Sequence, residues 1–268
     1  MVKFYPLKKI MQIAFISDIH ANLPALEEFL KAIKWQKVDM IYCLGDVVNQ
    51  NVWNNEVVEL LGKNNIVVIQ GNHDEGIASG RKNFSFSYSS RETEKCGKEA
   101  IEYTLTQITD ENKNILASYP REKRLIYQAK NGQSLKLLLT HGIPGDFNTR
   151  LYRFLPKDRF AEIINDAGVD ILLTGNTHSP HHIIIPVESE EGTIFKHAIN
   201  PGAIGKANDG DWRSSYAIIS FHPEMDLHKN KDAVQVDFYR LEYDLDKAVK
   251  ALQHSPLSIL YAGYLIGG

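Results

Sequence analysis

The sequence predicts an α/β protein, a sandwich of two sheets flanked by helices, and three observations carry that prediction. Continuous apolar runs alternate with amphipathic segments as far as Thr174, as expected of parallel strands covered by helices. Beyond that point the pattern shortens to hairpins with two-residue alternation, the mark of antiparallel pairing. Five successive strand ends close on a carboxylate, an imidazole or an amide, and in such folds functional groups gather at the carboxyl ends of the strands.

Taken in order, Ile13 to Ile16 is an apolar strand that runs into Ser17-Asp18-Ile19-His20. Asp18 and His20 stand two positions apart, so an extended backbone aims both to one side and a loop lets them converge. Asn22 is a good helix cap, Pro24 suits the first turn, and Leu26, Phe29, Leu30 and Ile33 share one helical face. Met40 to Leu44 is the second strand, ending in Gly45-Asp46. Val57, Val58, Leu60 and Leu61 mark a second helix that Gly62 can close, and Ile66 to Ile69 is a third strand ending in Gly71-Asn72-His73-Asp74.

Residues from about 76 to 125 differ in character and read as an insertion of loop and helix beside the strand ends. Phe84, Phe86 and Tyr88 alternate with serines, as a packed edge or as a lid, and Thr109 caps a helix that opens with Asp110 and Glu111. The sheet is expected to resume at Arg124 to Gln128, turn at Lys130-Asn131-Gly132, and continue through Leu135 to Thr140 into His141-Gly142. Pro156 to Asp166 reads as a helix, and Asp170 to Thr174 as a strand leading into Gly175-Asn176-Thr177-His178. His182 to Ile185 and Thr193 to Lys196 read as a hairpin across an acidic turn, and Ser215 to Phe221 and Ala233 to Leu241 are expected to form a second, antiparallel sheet. Ala248, Val249 and Leu252 mark a last helix before an apolar tail.

A chain of 268 residues, 43% hydrophobic and 24% charged, has the composition of an ordinary globular protein and is expected to form a single domain over 1–268. A net charge of −3 argues against a surface built to bind nucleic acid. Of the two cysteines, Cys43 lies in an apolar run, so a disulfide framework is not expected. Neither a cleavable leader nor a membrane-spanning run is evident, and the expectation is a cytoplasmic protein.

The strand-end set is Asp18, His20, Asp46, Asn72, His73, His141, Asn176 and His178. Singly, each has a plainer reading as a surface or core polar group; their recurrence at five strand ends argues for a shared purpose. Oxygen and imidazole donors without thiolate suit Mn, Fe, Zn or a similar divalent ion. There are too many for one ion. Two ions about 3.5 to 4 Å apart that share a carboxylate clamp a phosphate and generate hydroxide at neutral pH. Asp46, from a middle strand, is the candidate bridge, and His73, beside Asn72, is left to act as a proton donor. His181, His182, His197, His222, His228 and His254 lack such placement. Asn200-Pro201-Gly202 is a turn whose side chains could face the site. Arg81, Lys82, Arg91, Arg150, Arg153 and Arg213 lie in predicted loops, where they read as solvated charges or as holders of a remote substrate phosphate.

The ordered series Asp18-Ile19-His20, Gly45-Asp46, Gly71-Asn72-His73, Thr140-His141-Gly142 and Gly175-Asn176-Thr177-His178 resembles the calcineurin-like metallophosphoesterase superfamily. Ser17 to Asn22 and Asn200 to Ala203 look like its small prokaryotic phosphoesterase branch. The resemblance implies a four-layer αββα sandwich of two mixed sheets and a dinuclear centre. Asp18, His20 and His178 would bind one metal, Asn72 and His141 the other, Asp46 would bridge, and His73 would donate the proton. In that family the fourth motif is Gly-His-x-His and its first histidine ligates the second metal; here Asn176 stands there, which implies a weaker amide ligand and a second ion lost first, or a preference for a harder ion such as Mn. The implied activity is hydrolysis of phosphomonoesters or phosphodiesters, on a small molecule, a nucleotide or a phosphoprotein. The rival reading is a non-catalytic scaffold that keeps the fold, as the retromer subunit of this superfamily does. One altered ligand and an intact proton-donor position favour the enzyme.

Overall fold

Alternation of side chains across each strand explains how the layers assemble. A computed structural model of the protein describes residues 3–84, 90–190 and 192–267. In chain order the first elements are β1 (Lys3–Leu7), β2 (Met11–Ile16), α1 (Leu23–Ile33), β3 (Met40–Cys43), α2 (Asn54–Lys63), β4 (Val67–Val68) and α3 (Asn72–Ala78). Then follow α4 (Arg91–Gln107), α5 (Asp110–Ser118), β5 (Glu122–Ala129), β6 (Ser134–Thr140), α6 (Lys157–Ala167) and β7 (Ile171–Leu173). The chain ends with β8 (His181–Ser189), β9 (Gly192–Asn200), β10 (Ser214–Phe221), β11 (Val234–Leu241), α7 (Leu245–Gln253) and α8 (Ile259–Gly267).

One sheet has the order β11-β10-β2-β3-β4 and the other β1-β5-β6-β7-β9-β8, and both mix parallel with antiparallel pairs. Ile13 and Phe15 of β2, Ile219 and Phe221 of β10, Leu135, Leu137 and Leu139 of β6, and Ile171 and Leu173 of β7 fill the space between the sheets. The alternate residues face outward: Ala14, Ile16 and Ile218 meet α1, α2, α4, α5, α7 and α8, while Leu138 and Leu172 meet Phe160 and Ile164 of α6. The layers are therefore helices, sheet, sheet, helix. No described helix is long and apolar enough to cross a membrane.

Local signals placed most elements. The Asn22 side chain accepts from the Ala25 N–H at 3.3 Å, Thr109 caps α5 through the Asn112 N–H at 3.2 Å, and Gly168 ends α6 with φ 66°. Gly62 lies within the last turn of α2, which stops at Asn64.

The division between sheets differs from expectation. Strands β10 and β11 do not join a separate sheet: β10 pairs with β2 and completes the first one. All eight residues of β10 are buried, as a strand covered on both faces requires, and period alone cannot say which neighbour a strand takes. Conversely β5, β6 and β7 leave the first sheet and form the second with β1, a short N-terminal strand that the sequence reading passed over. The apolar tail is helical, as α8. Phe84 is buried, whereas Phe86 and Tyr88 lie outside the described residues.

Candidate metal centre

The loops that follow β2, β3, β4, β6 and β7 meet at one edge of the two sheets, and all of the expected side chains come with them. Those after β2 and β3 are tied together by backbone hydrogen bonds, Asp18 N to Gly45 O at 2.9 Å, His20 N to Asp46 O at 3.0 Å and Ala21 N to Val47 O at 2.8 Å. Asp18, His20, Asp46, Asn176 and His178 all adopt positive φ, between 46° and 65°. That backbone is sparsely populated by non-glycine residues and is concentrated at functional sites. Asp74 fixes the loops from below: its carboxylate accepts the N–H groups of Val47 at 2.8 Å, Val48 at 3.3 Å and Gly71 at 2.9 Å.

Each carboxylate has one oxygen anchored and one oxygen aimed inward. Asp18 Oδ2 accepts the Asn176 N–H at 3.1 Å, while buried Oδ1 receives no hydrogen bond from a described residue and lies 3.3 Å from His178 Nε2. Asp46 Oδ1 accepts the His73 N–H at 2.9 Å, and Oδ2 faces the Nε2 atoms of His141 at 3.2 Å, His20 at 3.7 Å and His73 at 3.9 Å. His141 Nδ1 donates to the Leu44 carbonyl at 2.7 Å and His178 Nδ1 to the Lys206 carbonyl at 2.8 Å, which leaves each Nε2 turned into the cluster.

The result is a set of acceptors facing acceptors. His20 Nε2 and His178 Nε2 are 3.2 Å apart, and Asn72 presents its amide oxygen to Asp46 Oδ1, Asp46 Oδ2 and His141 Nε2 at 3.2, 3.1 and 3.0 Å. With the amide rotated, its nitrogen would instead donate to the same atoms. A cation suits the rest of the cluster, because it satisfies Asp18 Oδ1 and the facing Nε2 atoms of His20 and His178 at once and neither imidazole then needs a second proton. Donors about 2.1 Å from a common ion sit about 3.0 to 3.4 Å apart, the spacing seen here. Three groupings, Asp18 with His20 and His178, Asp18 with Asp46 and His141, and His20 with Asp46 and His73, each bring ligand atoms within 4.8 Å of one another. These residues fit divalent ions.

The electrostatics follow from burial and crowding. Burial alone would raise Asp18 and Asp46, but His178 beside the first and His141 beside the second outweigh it and hold both below the ordinary carboxylate range. Burial opposes the proton on His141, yet the Asp46 carboxylate raises it to about 9. Burial lowers His20, and it lowers His73 to about 4. Burial and the Asp46 charge push Asp74 up to about 7, against the pull of its three N–H donors.

His73 is oriented by a residue the sequence reading missed. Asn49 Oδ1 accepts the Gln50 N–H at 2.8 Å and the Thr104 hydroxyl at 3.1 Å, which directs its Nδ2 to donate to His73 Nδ1 at 2.9 Å. With Nδ1 accepting from Asn49, the neutral ring would carry its hydrogen on Nε2, which the Gln50 amide faces at 3.4 Å, and a protonated Nε2 is no metal ligand. Asn49 lies three residues after Asp46 in the same strand-end turn, a position the spacing could have flagged. Asp74 belongs to the Gly71-Asn72-His73-Asp74 string but received no role.

Asn176, expected as a ligand, is held by protein partners at both ends of its amide. Its Oδ1 accepts from Arg150 Nε at 3.1 Å, and its Nδ2 donates to the carbonyls of Phe147 at 3.2 Å and Asn148 at 3.3 Å, so both ends of the amide are engaged. Asn200 points beneath the site, its Nδ2 donating to Gly175 O at 2.7 Å and to Thr177 Oγ1 at 3.1 Å, and supports the loop from behind. A cleft opens over the cluster, walled by Gly97 and Ile101 of α4, Tyr261 of α8, Arg150 and Lys206.

Fold and cluster together define a metallophosphoesterase architecture, and the chain belongs to the calcineurin-like phosphoesterase superfamily, whose domain matches residues 11–224. It is 32% identical over 252 residues to an uncharacterized protein of Methanocaldococcus jannaschii, an alignment that covers 90% of this chain and 91% of that one. Among solved structures it is similar to a metallophosphoesterase from Sphaerobacter thermophilus, at 27% identity and TM-score 0.70 over 96% of this chain and 98% of that chain. A hypothetical protein from Pyrococcus horikoshii OT3 shares the fold at 20% identity, with TM-score 0.73 over 95% and 97% of the two chains.

Proposed function

We propose that this protein is a metal-dependent phosphoric ester hydrolase with a dinuclear centre. Asp18, His20 and His178 would hold one divalent ion and Asn72 and His141 the other, with Asp46 available to both. The observation that carries this reading is the buried convergence of Asp18, His20, Asp46, His141 and His178, whose ligand atoms lie within 4.8 Å of one another in overlapping groups. Divalent ions, when bound, supply Lewis acidity and an activated water at neutral pH.

The chain's own residues do the rest. The backbone N–H groups of Asn176 and His73 hold Asp18 and Asp46 in orientation, and the Leu44 and Lys206 carbonyls fix the two imidazoles. His73, with Nδ1 occupied by Asn49, offers Nε2–H to the leaving oxygen and so stabilises the charge that develops there. The walls of α4 and α8 shield one side of the cleft from water.

Elemental analysis of the purified protein, followed by turnover of p-nitrophenyl phosphate and bis-p-nitrophenyl phosphate with Mn added and then chelated, tests the proposal. Turnover of either ester that disappears with chelator and returns with Mn is expected. Bound metal with no turnover of either ester under any divalent ion would refute hydrolysis and favour the scaffold.

A further inference from the structure

Arg150 is a cation placed at the cleft with no carboxylate to neutralise it among the described residues. The other arginines singled out in the sequence that have acidic neighbours are used locally, Arg81 against Glu75 and Arg213 against Asp211 at 2.7 Å. Arg150 instead gives Nε to the Asn176 oxygen at 3.1 Å and Nη1 to Tyr152 Oη at 3.4 Å, both neutral acceptors. Its loop is fixed on either side: the Leu151 side chain is buried in the outer core, and Thr149 Oγ1 donates to Asp146 Oδ2 at 2.7 Å. Lys206 lines the same cleft, its Nζ 4.5 Å from the centre of the Tyr264 ring. A guanidinium fixed by neutral partners keeps its remaining N–H groups for an anion, and its planar fork suits phosphate oxygens.

Formal charge then discriminates between ester classes. Asp18 and Asp46 contribute −2, two divalent ions would contribute +4, and Arg150 with Lys206 +2, a sum of +4 around the cleft; ionised Asp74 beneath it reduces this to +3. A phosphodiester brings one negative charge and a phosphomonoester brings two.

We propose that Arg150, seated by Asn176 as its positioning residue, clamps the phosphoryl group and selects dianionic phosphomonoesters over diesters. This rests on the hydrolase reading above. Asn176 thus supports a substrate-binding cation at the position where the family places a metal-ligating histidine.

Inorganic phosphate is titrated calorimetrically into the Mn-loaded wild type, R150A, R150K and N176A, with bound metal counted in each and kcat and KM measured on the two p-nitrophenyl esters. Arg150 is exposed, so its variants are expected to fold. R150A is expected to bind phosphate about ten- to a hundredfold more weakly, R150K to recover part of that loss, and N176A to fall between them with its metal count unchanged. The loss in kcat/KM is expected on the monoester, mainly through KM, and to be small on the diester. Phosphate affinity in R150A within twofold of wild type, equal losses on both esters, or a metal equivalent lost from N176A would each overturn the proposal while leaving the hydrolase reading in place. A wild type inert toward both esters would instead remove the hydrolase reading, and the ester selectivity with it.

Discussion

Raising the pH from 7 to 9 is expected to tighten Mn binding to the metal-free protein by about fiftyfold. His141 donates Nδ1–H to the Leu44 carbonyl and sets Nε2 3.2 Å from Asp46 Oδ2 and 4.0 Å from Asp18 Oδ1. Without an ion, a proton on that Nε2 is the positive charge the two carboxylates select, and His141 is raised to about 9. An incoming ion must displace it. Below pH 9 binding then releases about one proton from this residue, so affinity rises roughly tenfold per pH unit and levels off above 9. His20 and His73 are held below their ordinary values and add no proton in this window. The stability of the chelated protein runs in the opposite direction: the contribution of His141 is complete below its unfolded value of about 6.5 and is lost as pH rises through about 9. Calorimetric Mn titrations in two buffers of different ionisation enthalpy count the protons directly. A pH-independent affinity with no proton released at pH 7.5 would refute the assignment of His141 Nε2 to the site.

Three further outcomes follow from the same geometry. Asp74→Ala orphans the buried N–H groups of Val47, Val48 and Gly71 and is expected to lower unfolding free energy by about 3 kcal/mol in guanidinium titrations; a loss under about 1 kcal/mol would show that the loops hold without it. His73→Ala should retain its metal and lose activity about a hundredfold on an alkyl phosphate but far less on the p-nitrophenyl ester, whose leaving group needs little protonation, and equal losses would argue against a proton donor. Graded chelation should remove the ion at Asn72 and His141 first, since Asn176 adds no ligand there, and simultaneous loss of both ions would contradict this.

Most of the clustered set was legible because strand ends are marked twice, by an apolar run that stops and by a polar residue unlike anything within it. Ile13 to His20 and Leu137 to His141 are of this kind. Sheet membership was not legible, since β10 carries apolar residues on both faces and nothing in its pattern distinguishes pairing with β2 from pairing with β9. Arg150 was legible only as one of six loop cations, and Lys206 was not singled out, for another reason. Their roles depend on which loop folds over the cleft, and a loop's path is set by contacts such as Leu151 in the outer core, distant in sequence from the strand ends it serves. Asn176 illustrates the limit most clearly: its position in a motif suggested a ligand, and only the proximity of Arg150, 26 residues earlier, shows what its oxygen accepts.

The backbone of the site makes a last prediction about where strain resides. Ala21 sits between His20 and Asn22 with φ 54°, fully buried, and its N–H is fixed to Val47 O at 2.8 Å. An alanine in this left-handed region is disfavoured by about 1 to 2 kcal/mol, whereas glycine is not. Against that gain, Ala21→Gly raises the entropy of the unfolded chain, worth about 0.4 to 1 kcal/mol, and forfeits one buried methyl, worth about 0.8 kcal/mol. These nearly cancel, so the variant is expected to lie within about 1 kcal/mol of wild type. An ordinary buried Ala→Gly change, with no strain to relieve, would lose about 1 to 2 kcal/mol. Comparing Ala21→Gly with Ala14→Gly, which lies in β2 at ordinary strand φ and is equally buried, isolates the difference. Equal losses at the two positions would mean that the loop carries no strain, and that the convergence of Asp18, His20 and Asp46 is imposed by the ions rather than built into the chain.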